Sequence, residues 1–322
     1  MGLAYTDITE FYKYKMTDEI IRPDILCLGS SRIMKVNEDV TNKDYSFYNA
    51  GGAINNVYQY KLFLKKLHYI PKLLIISLDQ WFFNPNYTNQ ERSFNPNAYE
   101  FPKRNMGNLF TSFIDDYIGK KINLKKIIDN KEQNIGLNAI INENGFQKDG
   151  SHYEGNLIVN PQSGEDFNFK DTFQRIADGN KRFEYFERAD TNHIKVIDEF
   201  LGTCQEKNIT VLAILPPFAP AVYRKMTACG NYPYLSQLYF LLKPIFESHE
   251  NCILGDYTDM ESFGVANKDF VDGFHGSELV YNMIIYDLIQ KEDTLRKYFI
   301  HTAGIDSIIE KYKNMNIKYH NL

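Results

Sequence analysis

A pair of adjacent serines after an apolar run is the first feature of this sequence that could carry out chemistry. The run, residues 24–28, leads directly into Gly29-Ser30-Ser31-Arg32. It predicts a buried strand, and residues just beyond the carboxyl end of a parallel strand lie where ligands bind. A serine hydroxyl there, with backbone N–H groups nearby to stabilise an oxyanion, could be a nucleophile. The same pattern also serves as an ordinary helix cap, so this motif alone leaves both interpretations open.

A second motif, near the other end of the chain, could activate that hydroxyl. Asp272 and His275 lie three residues apart in Asp-Gly-Phe-His, in a predicted loop before a helix that begins near Ser277. A serine nucleophile needs a base to take its proton, and the imidazole needs an acceptor to fix its tautomer. Asp-x-x-His is common by chance and also fits a polar loop with a capping aspartate. We therefore base the prediction of a triad of Ser31, His275 and Asp272 on the conjunction of the two motifs.

The elements that must position these residues alternate between strands and helices. Short apolar or aromatic runs indicate buried parallel strands at 24–29, 46–50, 72–79, 209–216 and 251–256. Apolar residues at helical spacing indicate helices at 55–69, 191–207, 234–247 and 277–289. This alternation predicts an α/β fold with three α/β/α layers, a central parallel sheet of about five strands and right-handed crossovers.

The alternation is interrupted between residues 84 and 186, in a stretch rich in Asn, Tyr, Phe and Gly. A structureless loop of that length is implausible in a compact domain. We predict an insertion at 84–186 that forms a cap or small subdomain over the site. Residues 293–322 indicate a helical C-terminal tail, and the whole chain, 1–322, is predicted to be a single domain.

Composition and charge narrow the classes of function. The formal net charge of −5 argues against nucleic acid as a partner, because neutralising phosphates requires a concentrated basic face. Lysines cluster at 120–126, but aspartates flank them, which is typical of a solvated helix face. The 23 Tyr and 23 Phe exceed the needs of a core, so some of these rings are expected to line a cleft or an interface.

No cofactor or metal is predicted. Gly29-Ser30-Ser31-Arg32 matches neither the Gly-x-Gly-x-x-Gly fingerprint nor a P-loop, which argues against a flavodoxin-like cofactor binder. No run reaches the length of a membrane span, and no signal peptide is visible. The cysteines lack metal-ligand spacing and are expected to be free thiols; they are Cys27, Cys204, Cys229 and Cys252.

Together the motifs resemble those of the SGNH, or GDSL-type, hydrolase superfamily. That family has a Ser in its first block after strand one, a Gly in the second, an Asn in the third and Asp-x-x-His in the last. The first block is similar to Gly29-Ser30-Ser31, with Ser30 in place of the usual Asp, so the resemblance makes Ser31 the nucleophile. The last block matches Asp272 and His275. The resemblance covers roughly residues 20–85 and 190–290 and implies a flavodoxin-like sheet.

The resemblance also implies where an oxyanion would be held. The second block resembles residues 49–52, so Gly52 and Ile54 or Asn55 are expected to supply backbone N–H donors. The third block departs from the pattern, because Asp79-Gln80 replaces the expected Gly-x-Asn-Asp. The Gln80 amide could donate in place of the Asn, whereas Asp79 could not while ionised. For the neighbouring Arg32, three interpretations stay open: it orients Asp79, binds an anionic substrate or forms a structural ion pair.

Asp149-Gly-Ser-His152 repeats the Asp-x-x-His pattern inside the insertion. In the resembled family the pair follows the last strand, so chain order favours Asp272 and His275 as the functional pair. His152 could still face the cleft from a loop of the predicted cap.

The Gly-Ser-Ser-Arg variant with a long insertion resembles bacterial proteins of cell-surface polysaccharide loci, including O-acetyltransferases or esterases and teichoic-acid D-alanyl transfer proteins. This implies an ester hydrolase or O-acyltransferase that acts through an acyl-enzyme on acyl esters, most simply acetyl esters, of a cell-surface glycan or on a small ester. The resemblance also implies an extracytoplasmic or membrane-associated location and allows a membrane-bound acyltransferase as a partner. The alternative is a catalytically weak binding or assembly component of such an envelope-modification system.

Overall fold

The fold is built on one parallel sheet. A computed structural model describes residues 9–87, 97, 99–100, 106–129 and 134–320. In this part of the chain the strands are β1 (Ile25–Gly29), β2 (Phe47–Gly51), β3 (Leu73–Ser77), β4 (Asn134–Ile135), β5 (Asn144–Gln147), β6 (His152–Glu154), β7 (Thr210–Leu215) and β8 (Cys252–Asp256). Five of them form an all-parallel sheet in the order β2-β1-β3-β7-β8, while β4, β5 and β6 form a small antiparallel sheet.

Helices connect and flank these strands, and the α/β fold with three layers predicted from the sequence is confirmed. The α-helices of the described residues are α1 (Thr9–Lys15), α2 (Tyr58–Lys66), α3 (Met106–Ile118), α4 (Leu124–Asp129), α5 (Leu137–Asn142), α6 (Gly155–Val159), α7 (Lys170–Asp178), α8 (Thr191–Glu206), α9 (Pro220–Cys229), α10 (Tyr234–Ser248), α11 (Glu278–Lys291) and α12 (Thr302–Met315). A π-helix spans Met16–Ile21, and short 3-10 helices lie at Ser31–Lys35, Glu38–Val40, Gln80–Phe83, Pro161–Ser163, Phe167–Phe169, Glu261–Phe263, Asn267–Asp269 and Asp293–Tyr298.

The central strands are apolar on both faces because both faces are covered. Every residue of β1, β2, β3 and β7 is buried, which explains why these segments read as continuous apolar runs rather than alternating ones. The predicted helix at 55–69 is shorter than expected. It begins at Tyr58, where Asn56 Oδ1 accepts the backbone N–H at 3.0 Å, and ends before Leu67, whose backbone is extended.

The strand order creates the crevice that a ligand site needs. The chain leaves β1 toward β2 on one side, whereas β3 lies on the other, so the connections diverge between β1 and β3. Leu28 of β1 pairs with Ile76 of β3, and the residues that follow both strands therefore emerge side by side. Ser31 follows β1 and Gln80 follows β3 at this switch point.

The predicted insertion contacts two separate parts of the α/β domain. The turn between β5 and β6 meets the sheet edge, because Asn49 N of β2 donates to Asp149 O at 2.7 Å. Further along, Asp166 Oδ2 accepts the backbone N–H of Gly273 at 3.0 Å. Residues 88–96 and 101–105, which belong to the predicted cap, lie outside the described residues.

The four cysteines carry free thiols, of which Cys27 and Cys204 are buried. Among the helices of the described residues, none is both long enough and apolar enough to cross a membrane. At the end of the described chain, α12 packs on α11.

Candidate active site

Ser31, His275 and Asp272 form a continuous hydrogen-bonded chain. Ser31 Oγ lies 2.7 Å from His275 Nε2, and His275 Nδ1 lies 2.6 Å from Asp272 Oδ2. The side chains of His275 and Asp272 keep about a fifth of their surface exposed, and Ser31 is half-buried. A substrate can therefore reach the hydroxyl, while the carboxylate is shielded enough to act strongly on the ring.

The two adjacent serines have different roles in the local backbone. Ser30 is the N-cap of the 3-10 helix Ser31–Lys35, and its Oγ accepts the backbone N–H of Arg32 at 3.1 Å. Ser31 is the first helical residue, so its side chain is free of the cap and its backbone N–H lies outside the helical ladder. The sequence left a helix cap and a nucleophile as alternatives for one motif. In the structure the cap is Ser30, and the candidate nucleophile is its neighbour Ser31.

Asp272 holds the histidine loop as well as the ring. Its Oδ1 accepts the backbone N–H groups of Phe274 and His275 at 2.9 and 2.8 Å, which leaves Oδ2 for the imidazole. Burial raises the pKa of Asp272, but the attraction of His275 and these hydrogen bonds outweigh that effect and lower the pKa to about 2. The carboxylate is therefore ionised at neutral pH and accepts the Nδ1 proton. With Nδ1 directed at Asp272, Nε2 is the ring nitrogen that faces Ser31.

Gly273 fixes the loop to its surroundings. A Cβ at this position would lie 2.5 Å from the Thr172 side chain, so no larger residue fits. Its carbonyl accepts the backbone N–H of Ala219 at 3.0 Å, and its N–H donates to Asp166. The loop is thereby attached both to the segment after β7 and to the insertion.

Arg32 is a fully buried clamp rather than a substrate contact. Its Nε donates to Phe274 O at 2.9 Å, and Nη2 donates to Pro216 O and Pro217 O at 2.8 and 2.6 Å. Its Nη1 donates to Gln80 Oε1 at 2.6 Å. Because the side chain is 0% exposed, it is not placed to bind an anionic substrate. Arg32 follows Ser31 directly, and Phe274 precedes His275, so this side chain links the backbone at Ser31 to the backbone at His275.

Gln80 and Asp79 are likewise buried, and the structure does not place the Gln80 amide for the oxyanion role expected of it. The Gln80 amide donates to Pro216 O at 2.8 Å and to Thr258 Oγ1 at 2.9 Å, so both amide hydrogens are taken up internally. Asp79 is 0% exposed, and neither of its carboxylate oxygens has a hydrogen-bond partner in the described part of the chain. Burial raises the pKa of Asp79, and the positive charge of Arg32 opposes that rise.

The backbone donors expected from the second block are also engaged. Gly52 N and Ile54 N both donate to Gly29 O, at 2.9 and 3.1 Å. Asn55 N donates to Gln59 Oε1, and the Asn55 side-chain amide donates to Glu10. Gly52 has a φ of +87°, which a residue with a side chain rarely adopts. Of the donors considered, the N–H of Ser31 itself is thus the one adjoining the nucleophile and free of the helical ladder.

The second Asp-x-x-His motif does not form a pair. His152 Nδ1 lies 2.8 Å from Glu154 Oε1, whereas Asp149 accepts from the backbone and hydroxyl of Ser151. A cavity of 510 Å³ is lined by Asp149, Ser151, His152 and Lys35, and the Lys35 ammonium pairs with Glu154 and Glu278. The histidine that meets Ser31 is His275.

An aromatic group with a half-buried arginine adjoins the base, and the sequence analysis missed it. The Phe274 ring lies 4.6 Å from the His275 ring and 5.6 Å from Trp81, measured between centroids. The Arg182 guanidinium lies 5.4 Å from the Phe274 ring centroid and 5.6 Å from that of Trp81. No motif marks Arg182, which comes from the insertion, and no local pattern could have assigned it to the site.

Comparisons with known proteins do not assign the chain to a family. No protein-family model, no curated protein and no solved structure matches it significantly. Within the described residues, no group of three or more His, Cys, Asp or Glu side chains could hold a metal ion. The triad geometry is therefore the main evidence for function.

Proposed function

We propose that this protein is a serine-dependent ester hydrolase or O-acyltransferase of the SGNH type that its motifs resemble. The observation that carries the proposal is the hydrogen-bonded chain from Ser31 Oγ through the His275 ring to Asp272. Ser31 and His275 are 244 positions apart in sequence and meet at the carboxyl edge of a parallel sheet. A nucleophile, its base and the group that orients the base are the three parts that acyl transfer requires.

In the proposed reaction, His275 Nε2 takes the proton of Ser31 as Oγ bonds to the carbonyl carbon of an ester. The carbonyl oxygen becomes an oxyanion, which the Ser31 N–H stabilises. His275 then gives its proton to the alcohol oxygen as the carbon–oxygen bond breaks, and the acyl group stays on Ser31. Asp272 keeps the imidazolium oriented throughout.

The second half of the reaction releases the acyl group. A water molecule or a sugar hydroxyl loses its proton to His275 and attacks the acyl-enzyme, and His275 returns the proton to Ser31 Oγ. Water as acceptor makes the protein an esterase, and a hydroxyl makes it an O-acyltransferase. On the basis of the resemblance, we propose acyl esters of a bacterial cell-surface glycan as substrates, in an extracytoplasmic or membrane-associated setting.

The test is the Ser31→Ala variant, assayed for turnover of 4-nitrophenyl acetate and for labelling by a fluorophosphonate probe. We expect turnover to fall by about a thousandfold or more and labelling to disappear, because Ser31 is the residue that carries the acyl group in the proposed reaction. Ser236→Ala is a matched control, since Ser236 is exposed and its hydroxyl bonds only within its own helix, to Pro233 O. Labelling that persists in Ser31→Ala would rule out Ser31 as the nucleophile.

A second candidate function is a binding or assembly component with weak activity. The observation that favours it is that Gly52, Asn55 and Gln80 all use their N–H donors internally. Losing one oxyanion donor typically costs about 3 kcal/mol of transition-state stabilisation. Wild-type protein that neither labels nor turns over an ester would favour this second function.

A further inference from the structure

Arg182 is a cation beside the proposed base that lacks an acidic partner. Within the described residues, Arg175, Arg224 and Arg296 each form an ion pair with a carboxylate, whereas Arg182, like Arg22, Arg32 and Arg188, forms none. Its side chain is half-buried, so it is not simply a solvated surface charge. A half-buried guanidinium with unused N–H donors is suited to binding an anion.

The guanidinium is held by its aromatic neighbours. It lies over the rings of Trp81 and Phe274, which are 2% and 4% exposed, and cation–π attraction fixes it against them. Phe274 in turn lies against the His275 ring. Arg182 and the proposed catalytic base, His275, thus both contact the Phe274 ring.

The backbone around Arg182 is bent in a way that needs support. Lys181 and Arg182 have φ values of +50° and +86°, which side-chain-bearing residues rarely adopt. The buried carboxylate of Glu184 accepts the backbone N–H of Arg182 at 3.0 Å and so supports the turn. Backbone strain of this kind persists where the surrounding structure enforces it, and it clusters at functional sites.

We propose that Arg182 binds an anionic group, a carboxylate or a phosphate, on the ester that Ser31 attacks. This inference rests on the proposed acyl transfer and names the substrate class: an ester that carries an anionic group beside the reacting carbonyl. Asp79 and Glu184 interact electrostatically with Arg182, as does the like charge of Arg32, but neither carboxylate forms an ion pair with it among the described residues. Arg182 therefore keeps its N–H donors for the substrate.

The kinetic test compares two esters of the same shape, 4-acetoxybenzoate and the neutral 4-acetoxybenzamide. The wild type should prefer the carboxylate. Arg182→Gln should lower kcat/KM for 4-acetoxybenzoate by about 10- to 100-fold, the usual effect of losing a charged hydrogen bond, and should change the amide little. Arg188→Gln is the matched control, because Arg188 is an exposed arginine in the same segment.

Equal losses for both esters in Arg182→Gln, or no loss for either, would overturn the proposal and leave the acyl-transfer function standing. A merely structural Arg182 gives the first of these results, since a displaced Phe274 would disturb His275 for every substrate. If the wild type turns over neither ester and is not labelled by the fluorophosphonate probe, the proposed function fails. The anion site is then decided by binding alone.

Binding can be followed through Trp81, which is the only tryptophan of the chain and lies against Arg182. Inorganic phosphate and acetate are titrated into the wild type, Ser31→Ala, Arg182→Gln and Arg188→Gln, with chloride at equal ionic strength as reference. We expect a saturable change in Trp81 fluorescence in all except Arg182→Gln. The anion that binds more tightly shows whether the site favours a phosphate or a carboxylate. A wild type without a saturable change, or an unchanged response in Arg182→Gln, contradicts the proposal.

Discussion

Ser30 and Ser31 carry identical side chains in adjacent positions, and the backbone gives them different roles. Ser30 has an extended backbone with ψ near −172°, so its Oγ turns back to the N–H of Arg32. One residue later the chain is helical, and the Ser31 hydroxyl points to His275 instead. At the scale of the residue, the different contacts of the two serines thus depend on a change in ψ that neither side chain determines.

The role of Asp272 can be tested with a substitution that hardly alters its shape, because asparagine has nearly the same size and outline as aspartate. In Asp272→Asn the ring loses the acceptor that fixes its tautomer, so Nε2 is no longer held as a base. We expect kcat for 4-nitrophenyl acetate to fall by about four orders of magnitude, the usual effect of this change in a Ser-His-Asp triad. Asp293→Asn, which alters a highly exposed carboxylate, should behave like the wild type. Turnover that survives in Asp272→Asn would show that another group orients the base.

The same carboxylate should also affect stability, with a defined dependence on pH. The folded pKa of about 2 is below the ordinary value of 3.8, so Asp272 contributes stability above pH 4 that is lost as pH falls toward 2. The shift corresponds to roughly 2 kcal/mol. In urea unfolding, Asp272→Asn should be less stable than the wild type at pH 7, and the difference should narrow at pH 3. A difference that is independent of pH would contradict this assignment.

Among the elements, the ends of three strands are joined by one side chain. Arg32 follows β1, and its guanidinium reaches Gln80 after β3, Pro216 after β7 and Phe274 in the loop after β8. Strand ends diverge in a twisted sheet, so a long, planar side chain with five donors is well suited to link them. We therefore expect the distance between Ser31 and His275 to depend on this link.

Arg32→Lys tests the link while keeping the charge. An ammonium cannot reach acceptors spread around a planar fork, so several buried carbonyls lose their partner. We expect a loss of about 3 kcal/mol in the free energy of unfolding and a lower kcat with little change in KM. Arg296→Lys, at an exposed ion pair, should change stability by less than about 0.5 kcal/mol. A wild-type kcat in a destabilised Arg32→Lys protein would make Arg32 important for folding alone.

The strands could be predicted because their evidence is local. A strand covered on both faces is a continuous apolar run, and the segments around β1, β3 and β7 show it directly. The hydrogen-bond partners of Gln80 could not be predicted, because Pro216 and Thr258 lie 136 and 178 positions away. An amide that looks available in the sequence is used up by carbonyl and hydroxyl groups that only the fold brings near.

At the scale of the whole molecule, the insertion supports the site from two sides that the sequence could not indicate. Its Asp166 holds the loop of His275, and its Arg182 lies against Phe274. Its path between these points lacks a repeating pattern, so no spacing rule relates Arg182 to Ser31. Short motifs were enough to predict Ser31, Asp272 and His275. The neighbouring residues that would select a substrate, such as Arg182, are brought to the site only by the tertiary structure.

Lys13 connects three distant parts of the molecule. It belongs to α1, and its Nζ donates to Asn49 O of β2 at 2.8 Å and to Gly150 O in the turn between β5 and β6. The side chain is 0% exposed and lies over the Phe146 ring at 4.0 Å. A neutral amine has two N–H donors, and two carbonyls accept them here. The N-terminal helix, the sheet edge and the insertion therefore meet at one buried amine.

Burial lowers the pKa of Lys13 from 10.5 to about 7, although Asp149 opposes the change. Between pH 7 and 10.5 the unfolded chain thus binds more protons at this residue than the folded chain does, and folding stability should rise with pH. We expect the stability of the wild type relative to Lys13→Met to increase by at least about 1 kcal/mol from pH 7 to pH 9.5 in urea unfolding. Lys313→Met, at an exposed ion pair, should give no such trend. A difference that stays flat would mean that Lys13 remains charged in the folded protein, with Asp149 close enough to compensate for its burial.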